Sequence, residues 1–451
     1  MAQDRLAGRS SLPPLAEGLP YLGSALDLRI DPTRYLVDLY HRHGAVFRFR
    51  LLGQIYWVMA GIDANRFLAR EGDAHFSSEK LFGSMGAEMG ADAYLVAMDG
   101  APHRHFRKVM RRGYSREAIA TSLPAVLDIA GAHATAWAAR GSVALFPAMQ
   151  RLVTDQLGLL TGGRVAGEYF DDLRLYLNVL MKVLVLKTRP AIAFRTRAYR
   201  AAKQRTDEFI TSVLDWHRAN PPIDREPRLI DDLITSLDDT NAPYSDATIL
   251  AAVTGAYFAG MDTVASSLSF MLYAILTVPN LMDRVRAEVD AAFETGGGLT
   301  ADTLRHMPTL HDIAIETLRL YPVAPFTPRT VAQAFEFGGY QFPVGTEVYI
   351  GNTITHFLPE HYPDPYIFDI DRFARPDQPK IGQAYAPFTL GAHTCLGAGM
   401  AEVQMMATAA MLVRSLDFSL DPANPPPTIY AAPLPNLGTK FAIQIHGVRT
   451  V

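Results

Sequence analysis

Apolar residues alternate with polar ones near the start of the chain and recur at helical spacing through most of the remainder. Val46-Phe-Arg-Phe-Arg50 alternates, Leu51-Leu-Gly53-Gln54 interrupts, and Ile55-Tyr-Trp-Val-Met59 resumes, a pattern that predicts a β-hairpin. A second strand-like zone runs from Phe335 to Ile350, where Gly338-Gly339 and Pro343-Val-Gly345 separate short alternating runs. Between these zones, Ala, Leu, Arg and Glu at helical spacing predict helices from Ser115 to Leu237 and from Ala247 to Leu320. A long Pro-, Asp- and Phe-rich stretch follows to Pro387, then a last apolar helix from Leu396 to Leu416. The expected fold class is mainly α with small peripheral β-sheets, without the strand–helix alternation of a doubly wound sheet.

One helical segment needs separate treatment. From Ile249 to Leu276 the only formal charge is Asp262, so the run is either a membrane span or a core helix. Gly255, Gly260, Asp262, Thr263, Ser266, Ser267 and Ser269 place small and polar groups through its middle. A carboxylate at mid-bilayer costs about 3 kcal/mol, which favours the core helix and no transmembrane anchor.

Composition narrows the function classes. The 42 Lys+Arg against 46 Asp+Glu give a net charge of −4, which argues against a nucleic-acid binder. With 49% hydrophobic and 20% charged residues the chain is globular and not disordered. Gly296-Gly-Gly298 lacks the strand and the Lys-Ser of a phosphate loop and reads as a turn. Residues 1–12 form a polar tail without the apolar region of a secretory signal, and the expectation is one cytoplasmic domain over 1–451.

The chain's single cysteine, Cys395, excludes an internal disulfide and any multi-thiolate cluster. It lies in Pro387-Phe-Thr-Leu-Gly391-Ala-His393-Thr-Cys395-Leu-Gly397-Ala-Gly399, a glycine-punctuated loop that opens the last helix. Free N–H groups and the positive dipole end of a helix favour a thiolate, the form that ligates a soft metal or attacks an electrophile. Gly391 and Gly397 let backbone approach something flat, and His393 offers an N–H to an anion. These are the needs of an axial haem ligand. A small buried hydrophobe, a cysteine nucleophile with His393 as base, and a His-x-Cys zinc site are the alternatives for the loop alone.

Several segments together resemble the cytochrome P450 family of haem-thiolate monooxygenases. Phe388, Gly391, His393, Cys395 and Gly397 match its cysteine signature, with Thr389 where the family usually has Gly, Ser or Asn. Glu316-Thr-Leu-Arg319 is similar to its Glu-x-x-Arg helix, and Asp369-Ile-Asp-Arg372-Phe373 to the meander whose arginine joins that pair. Ala259-Gly260-Met261-Asp262-Thr263 resembles the oxygen-activating turn, and His103-Arg-His-Phe-Arg107 the helix that meets a haem propionate. The resemblance implies a triangular-prism fold with haem b between a long central helix and a C-terminal helix. It further implies Cys395 on the iron and His103, Arg107, Arg329 and His393 at the propionates.

The function so implied is insertion of one oxygen atom from O2 into a C–H bond of a lipophilic small molecule. Asp262 and Thr263 would deliver protons to reduced dioxygen, general-acid work that an alcohol and a carboxylate can do together. Glu316, Arg319 and Arg372 are read as a buried scaffold. The substrate pocket is expected from Phe82, Leu95, Ala256, Ala259, Val323 and Phe326, together with the turn from Ala432 to Leu437. Electrons are expected from a ferredoxin or flavodoxin plus reductase, docked on Arg104, Arg107, Lys108, Arg111 and Arg112. The apolar and basic stretch 181–205 is expected at the substrate entrance. A peroxide-using or isomerising haem-thiolate enzyme and a haem sensor or carrier are the alternatives.

Overall fold

The computed structural model describes residues 12–236, 244–294, 298–375, 382–424, 429–430 and 434–449. The tail up to Ser11, Gly296 and Gly297 of the glycine cluster, and residues 432–433 of the expected pocket turn lie outside the described residues.

The predicted hairpin forms between β1 (Val46–Leu51) and β2 (Gln54–Ala60), with Val46 opposite Met59 and Leu51 opposite Gln54. Leu52 and Gly53 make the turn with φ of 51° and 82°, the two positive angles a tight hairpin requires. Three more strands complete a five-stranded sheet: β3 (Phe76–Ser77), β5 (Thr327–Val331) and β8 (Glu347–Gly351), in the order β1-β2-β8-β5-β3. β2 and β8 pair in parallel, Trp57 opposite Val348, so this sheet joins segments far apart in the chain. A second sheet joins β4 (Ser142–Ala144), β10 (Ala442–Val448) and β9 (Leu416–Leu420). The hairpin of β6 (Phe335–Phe337) with β7 (Tyr340–Phe342) falls in the second predicted strand zone.

The rest is mainly helical, as the periodicity predicts. The core is built where helix Leu145–Gly162 packs on Asp246–Met261 and Thr263–Thr277, and where Thr263–Thr277 packs on Pro308–Leu320 and Ala398–Ser415. Ser245 caps the first central helix by accepting the Thr248 N–H at 3.2 Å. The run expected as one central helix is interrupted at Asp262. There the Thr263 hydroxyl donates to the Ala259 carbonyl at 2.6 Å and competes for the acceptor of the helical ladder.

Two stretches are long and apolar enough to cross a membrane, Asp246–Thr277 and Gly391–Ser415. Their most apolar windows are 72% and 56% buried inside the protein, the burial of core helices.

A sealed charge network holds the segment that leads to the cysteine. The Glu316 carboxylate takes two bonds from Arg319, at 2.7 and 2.8 Å, and one from Arg372 at 3.3 Å. Two guanidinium groups on one carboxylate leave a buried positive charge, and backbone carbonyls answer it. Arg319 donates to His356 and Pro365 at 2.8 and 2.6 Å, and Arg372 to Asp364 and Ile367 at 3.2 and 3.1 Å. Removing the carboxylate would strand two sealed cations at a cost of about 3–5 kcal/mol. Glu316→Ala is therefore expected to yield little folded protein, read as circular dichroism and haem content of the purified chain. A well-folded variant with full haem would remove the network from its scaffold role.

Candidate functional site

The cysteine loop is closed by the Cys395 N–H on the Phe388 carbonyl at 2.9 Å and the Thr394 N–H on the Gly391 carbonyl at 3.1 Å. Gly391 has φ of 78°, and a Cβ there would come within 2.6 Å of the Leu68 carbonyl oxygen, so only glycine fits. Gly397 caps helix Ala398–Ser415, and Phe388 packs into the large core. Burial pushes the Cys395 thiol up, while the N–H groups of Gly397 and Ala398 and the Arg107 guanidinium favour its thiolate. The residue is nevertheless accessible. A thiol both deep and accessible faces an internal space.

Arg107 turns inward and donates to the Thr394 carbonyl, fixing the loop from the side of helix Gly100–Met110. On the same helix face His103 stacks on His393 with ring centres 4.0 Å apart and planes 17° from parallel. His393 meets Asp99 at 3.3 Å, and Asp99 also accepts the Ser77 hydroxyl at 2.6 Å and the Ser78 N–H at 3.0 Å. Burial raises the Asp99 carboxyl, but those hydrogen bonds outweigh it and hold the group at about 2. Burial, then the neighbouring His393 and Arg107, lowers His103 to about 4, and burial lowers Arg329 to about 10 against the pull of Asp99.

Two of these donors lack a partner of opposite charge. His103 Nδ1 is sealed and makes no hydrogen bond, and Arg329, 7% exposed, donates only to the Pro328 carbonyl at 2.8 Å. Among the described residues Arg329 has no ion pair. A sealed guanidinium and an unpartnered imidazole beside a deep thiol fit a flat dianionic group with a soft metal, and haem is such a group.

On the other side of this space, Gly255, Ala259 and Thr263 form an accessible stripe at i, i+4, i+8 along helices that are otherwise almost wholly buried. Tyr94 lies against the stripe: a Cβ on Gly255 would meet its ring at 3.2 Å. Tyr114 joins the two sides, since the thiol of Cys395 and the phenol of Tyr94 both help burial push its pKa above the usual tyrosine range. Asp262, next to the stripe, is 8% exposed, and its Oδ1 accepts from Gln150 Nε2 at 2.6 Å. Burial raises its pKa, against the Gln150 hydrogen bond and the field of Arg174.

The expected pocket residues separate into two groups. Phe82, Leu95 and Val323 are partly exposed and Ala259 is exposed. Ala256 is 2% exposed and lies off the accessible stripe, and Phe326 packs edge-on against Tyr349 at 4.6 Å in a second core cluster. Of the expected docking cations, Arg104 is tied to Asp73 at 2.8 Å, Arg107 faces the loop and Arg112 binds Asp232, which leaves Lys108 and Arg111 exposed without an ion pair among the described residues.

A sequence-family model described as Cytochrome P450 matches residues 13–443. The chain belongs to the cytochrome P450 family. It is 27% identical to the putative cytochrome P450 120 of Synechocystis, with 97% of each chain covered, and 25% identical to abscisic acid 8'-hydroxylase 4 of Arabidopsis thaliana, covering 98% of this chain and 94% of that one. The solved structure of retinoic acid bound cyanobacterial CYP120A1 superposes with a TM-score of 0.82 at 26% identity, covering 96% of this chain and 99% of that one. This P450 is a haem-thiolate monooxygenase.

The P450 loop is tied to its scaffold by residues that sequence reasoning missed. His356 Nε2 accepts the Ala386 N–H at 2.9 Å, so its Nδ1 carries the proton and donates to the Arg319 carbonyl at 3.1 Å. Asn352 Nδ2 donates to the Ala386 carbonyl at 2.7 Å, and Asn65 Nδ2 to the carbonyls of Asn352 and Gln383 at 3.0 and 2.6 Å. Thr389, φ 56°, is held in its left-handed conformation by a 3.0 Å hydrogen bond from the Thr327 hydroxyl. A lone histidine in Ile354-Thr-His-Phe357 gave no sequence signal for this link.

Burial, then the field of Arg319, lowers His356 to about 3. The unfolded chain protonates it near 6.5 and the folded one does not, so its effect on stability is nil above that value and grows as pH falls toward about 3. By pH 5 the loss is about 2 kcal/mol at 1.36 kcal/mol per unit. Urea titrations at pH 7 and pH 5 are expected to show His356→Gln losing about that much less than the wild type, and equal losses would refute the assignment.

Proposed function

We propose that Cys395 is the axial thiolate of haem b in a cytoplasmic, single-domain enzyme over 1–451, and that the product is a lipophilic small molecule carrying one oxygen atom from O2. The observation that carries this reading is the thiol itself: deep, accessible, at a helix N-terminus, with backbone N–H groups and Arg107 favouring its anion. When bound, the haem supplies the binding and activation of dioxygen, and the protein contributes orientation and electrostatics.

Arg329 and His103 supply the unpartnered donors for propionates, with His393 and Arg107 beside them. Phe388 and Gly397 shape the loop around the sulfur, and Glu316, Arg319 and Arg372 hold it from behind. Across the space, the Asp262 carboxyl, raised by burial, retains a proton to higher pH than a solvated carboxyl, and the Thr263 hydroxyl stands next in line to pass it on. Phe82, Leu95, Ala259 and Val323 give the substrate an apolar wall, backed by Ala256 and Phe326. An apolar wall agrees with relatives whose names carry retinoic acid and abscisic acid.

The test is the ferrous carbon monoxide difference spectrum. Wild type is expected to give the far-red-shifted Soret band of thiolate ligation, and Cys395→His to lose it. A wild-type band at the histidine position would take Cys395 off the metal.

Electrons are assigned to an acidic ferredoxin or flavodoxin that docks over Lys108 and Arg111, exposed cations that have no ion pair among the described residues. Reversing both charges, Lys108→Glu with Arg111→Glu, is expected to slow reduction by a ferredoxin roughly 10-fold at low salt, with the difference vanishing at high salt. An unchanged salt dependence in stopped-flow reduction would place the partner elsewhere.

A further inference from the structure

The described hydrogen-bond partner of the Asp262 side chain comes from the helix that packs across the break, Leu145–Gly162. Gln150 lies on Leu145–Gly162 and is 7% exposed, and its backbone carbonyl accepts the Thr154 hydroxyl at 2.6 Å. Its amide is the only described group bonded to the Asp262 side chain, at 2.6 Å on Oδ1. Oδ2 has no described partner and is not among the sealed unpartnered atoms. An amide N–H can only donate, so the oxygen it meets is the acceptor and the proton belongs on the other.

Charged neighbours do not override this. Arg174 is the cation whose field reaches Asp262, but it is 50% exposed and bonded to Asp171 at 3.0 Å. On the Gln150 helix, Asp155 is engaged by His133 and the Gly167 N–H, both at 3.1 Å. On the facing helix, Glu316 and Arg319 close on each other at 2.7 Å.

We propose that Gln150 is a positioning residue for proton delivery: its amide pins Oδ1 of Asp262, leaving Oδ2 as the oxygen that takes up and releases the proton beside Thr263. The proposal rests on the reading of Asp262 and Thr263 as the proton-delivery pair. In each cycle Oδ2–H gives its proton toward Thr263 or a water, and the carboxylate regains one from solvent. The neutral amide supplies direction without a permanent counter-charge that would hold the carboxyl ionised.

Holoenzymes of wild type, Gln150→Leu, Gln150→Met, Gln150→Lys and Asp262→Asn test it. The protonated-carboxyl infrared band that Asp262→Asn removes identifies Asp262, and its titration is followed without turnover. Losing a donor to the carboxylate is expected to move that titration up by about one pH unit or more in the Leu and Met variants, and the lysine to move it down. Substrate-free oxygen consumption with a surrogate ferredoxin gives the second readout. Oxygen takes two electrons and two protons to peroxide, or four of each to water, so misdirected protons alter the peroxide-to-water ratio. The Leu and Met variants are expected to change this ratio and raise the solvent isotope effect about twofold, with the carbon monoxide spectrum unchanged. A titration that stays at the wild-type pH in both, or an unchanged isotope effect where Asp262→Asn changes it, overturns the role of Gln150. If Asp262→Asn itself leaves ratio and isotope effect untouched, the proton-delivery reading of Asp262 falls and this proposal with it.

Discussion

Two arginines share one carboxylate where water cannot reach them, and the geometry of the cysteine loop follows from how that imbalance is settled. Glu316 neutralises one of the two guanidinium charges of Arg319 and Arg372, and carbonyl dipoles from His356 and residues 363–367 solvate the other. Those carbonyls must converge from separate turns, so the surplus charge gathers otherwise irregular chain around itself. His356 then carries the constraint onward. Its carbonyl accepts from Arg319 and its ring takes the Ala386 N–H, one step before Pro387 opens the loop. Irregular backbone is rarely rigid without such bonding, and here the rigidity is delivered to a thiol.

The opposite wall follows another logic. Helix Asp246–Met261 ends where a hydroxyl takes the place of an undisturbed ladder, and beyond Leu250 its accessible residues are Gly255 and Ala259, which have almost no side chain. Small residues leave room and polar ones at the break supply chemistry, so space and function come from the same few positions. Where a burial pattern fails on an otherwise sealed helix, the exception marks the cavity.

How much of this was legible in the sequence depended on whether the signal was local. Hairpin β1/β2, the last helix and the Glu316–Arg319 pair were readable because period, turn and spacing lie within a few residues. The cysteine loop was readable through its glycines and its unique thiol. Illegible were the links that join distant segments: His356 to Ala386, Asn65 to Gln383, and Gln150 to Asp262, each a polar side chain whose partner lies far away in the chain. Strands β4, β9 and β10 were also missed, being short pieces whose pairing is set by tertiary contact and not by alternation. The break at Asp262 was hidden because Thr263 fits a helical pattern until its hydroxyl finds the Ala259 carbonyl.

The parallel pairing of β2 with β8 also sets a timetable for synthesis. Asn65 bonds the Asn352 carbonyl across 287 residues of chain, and β2 waits for a neighbour made at that same late stage. At about 5–20 residues per second the delay is roughly 15–60 s, during which one edge of the first hairpin emerges from the ribosome uncovered. Nascent chains with such an edge are exposed to wrong pairing, so the order in which the ribosome delivers these strands favours chaperone protection of the hairpin until the sheet can close.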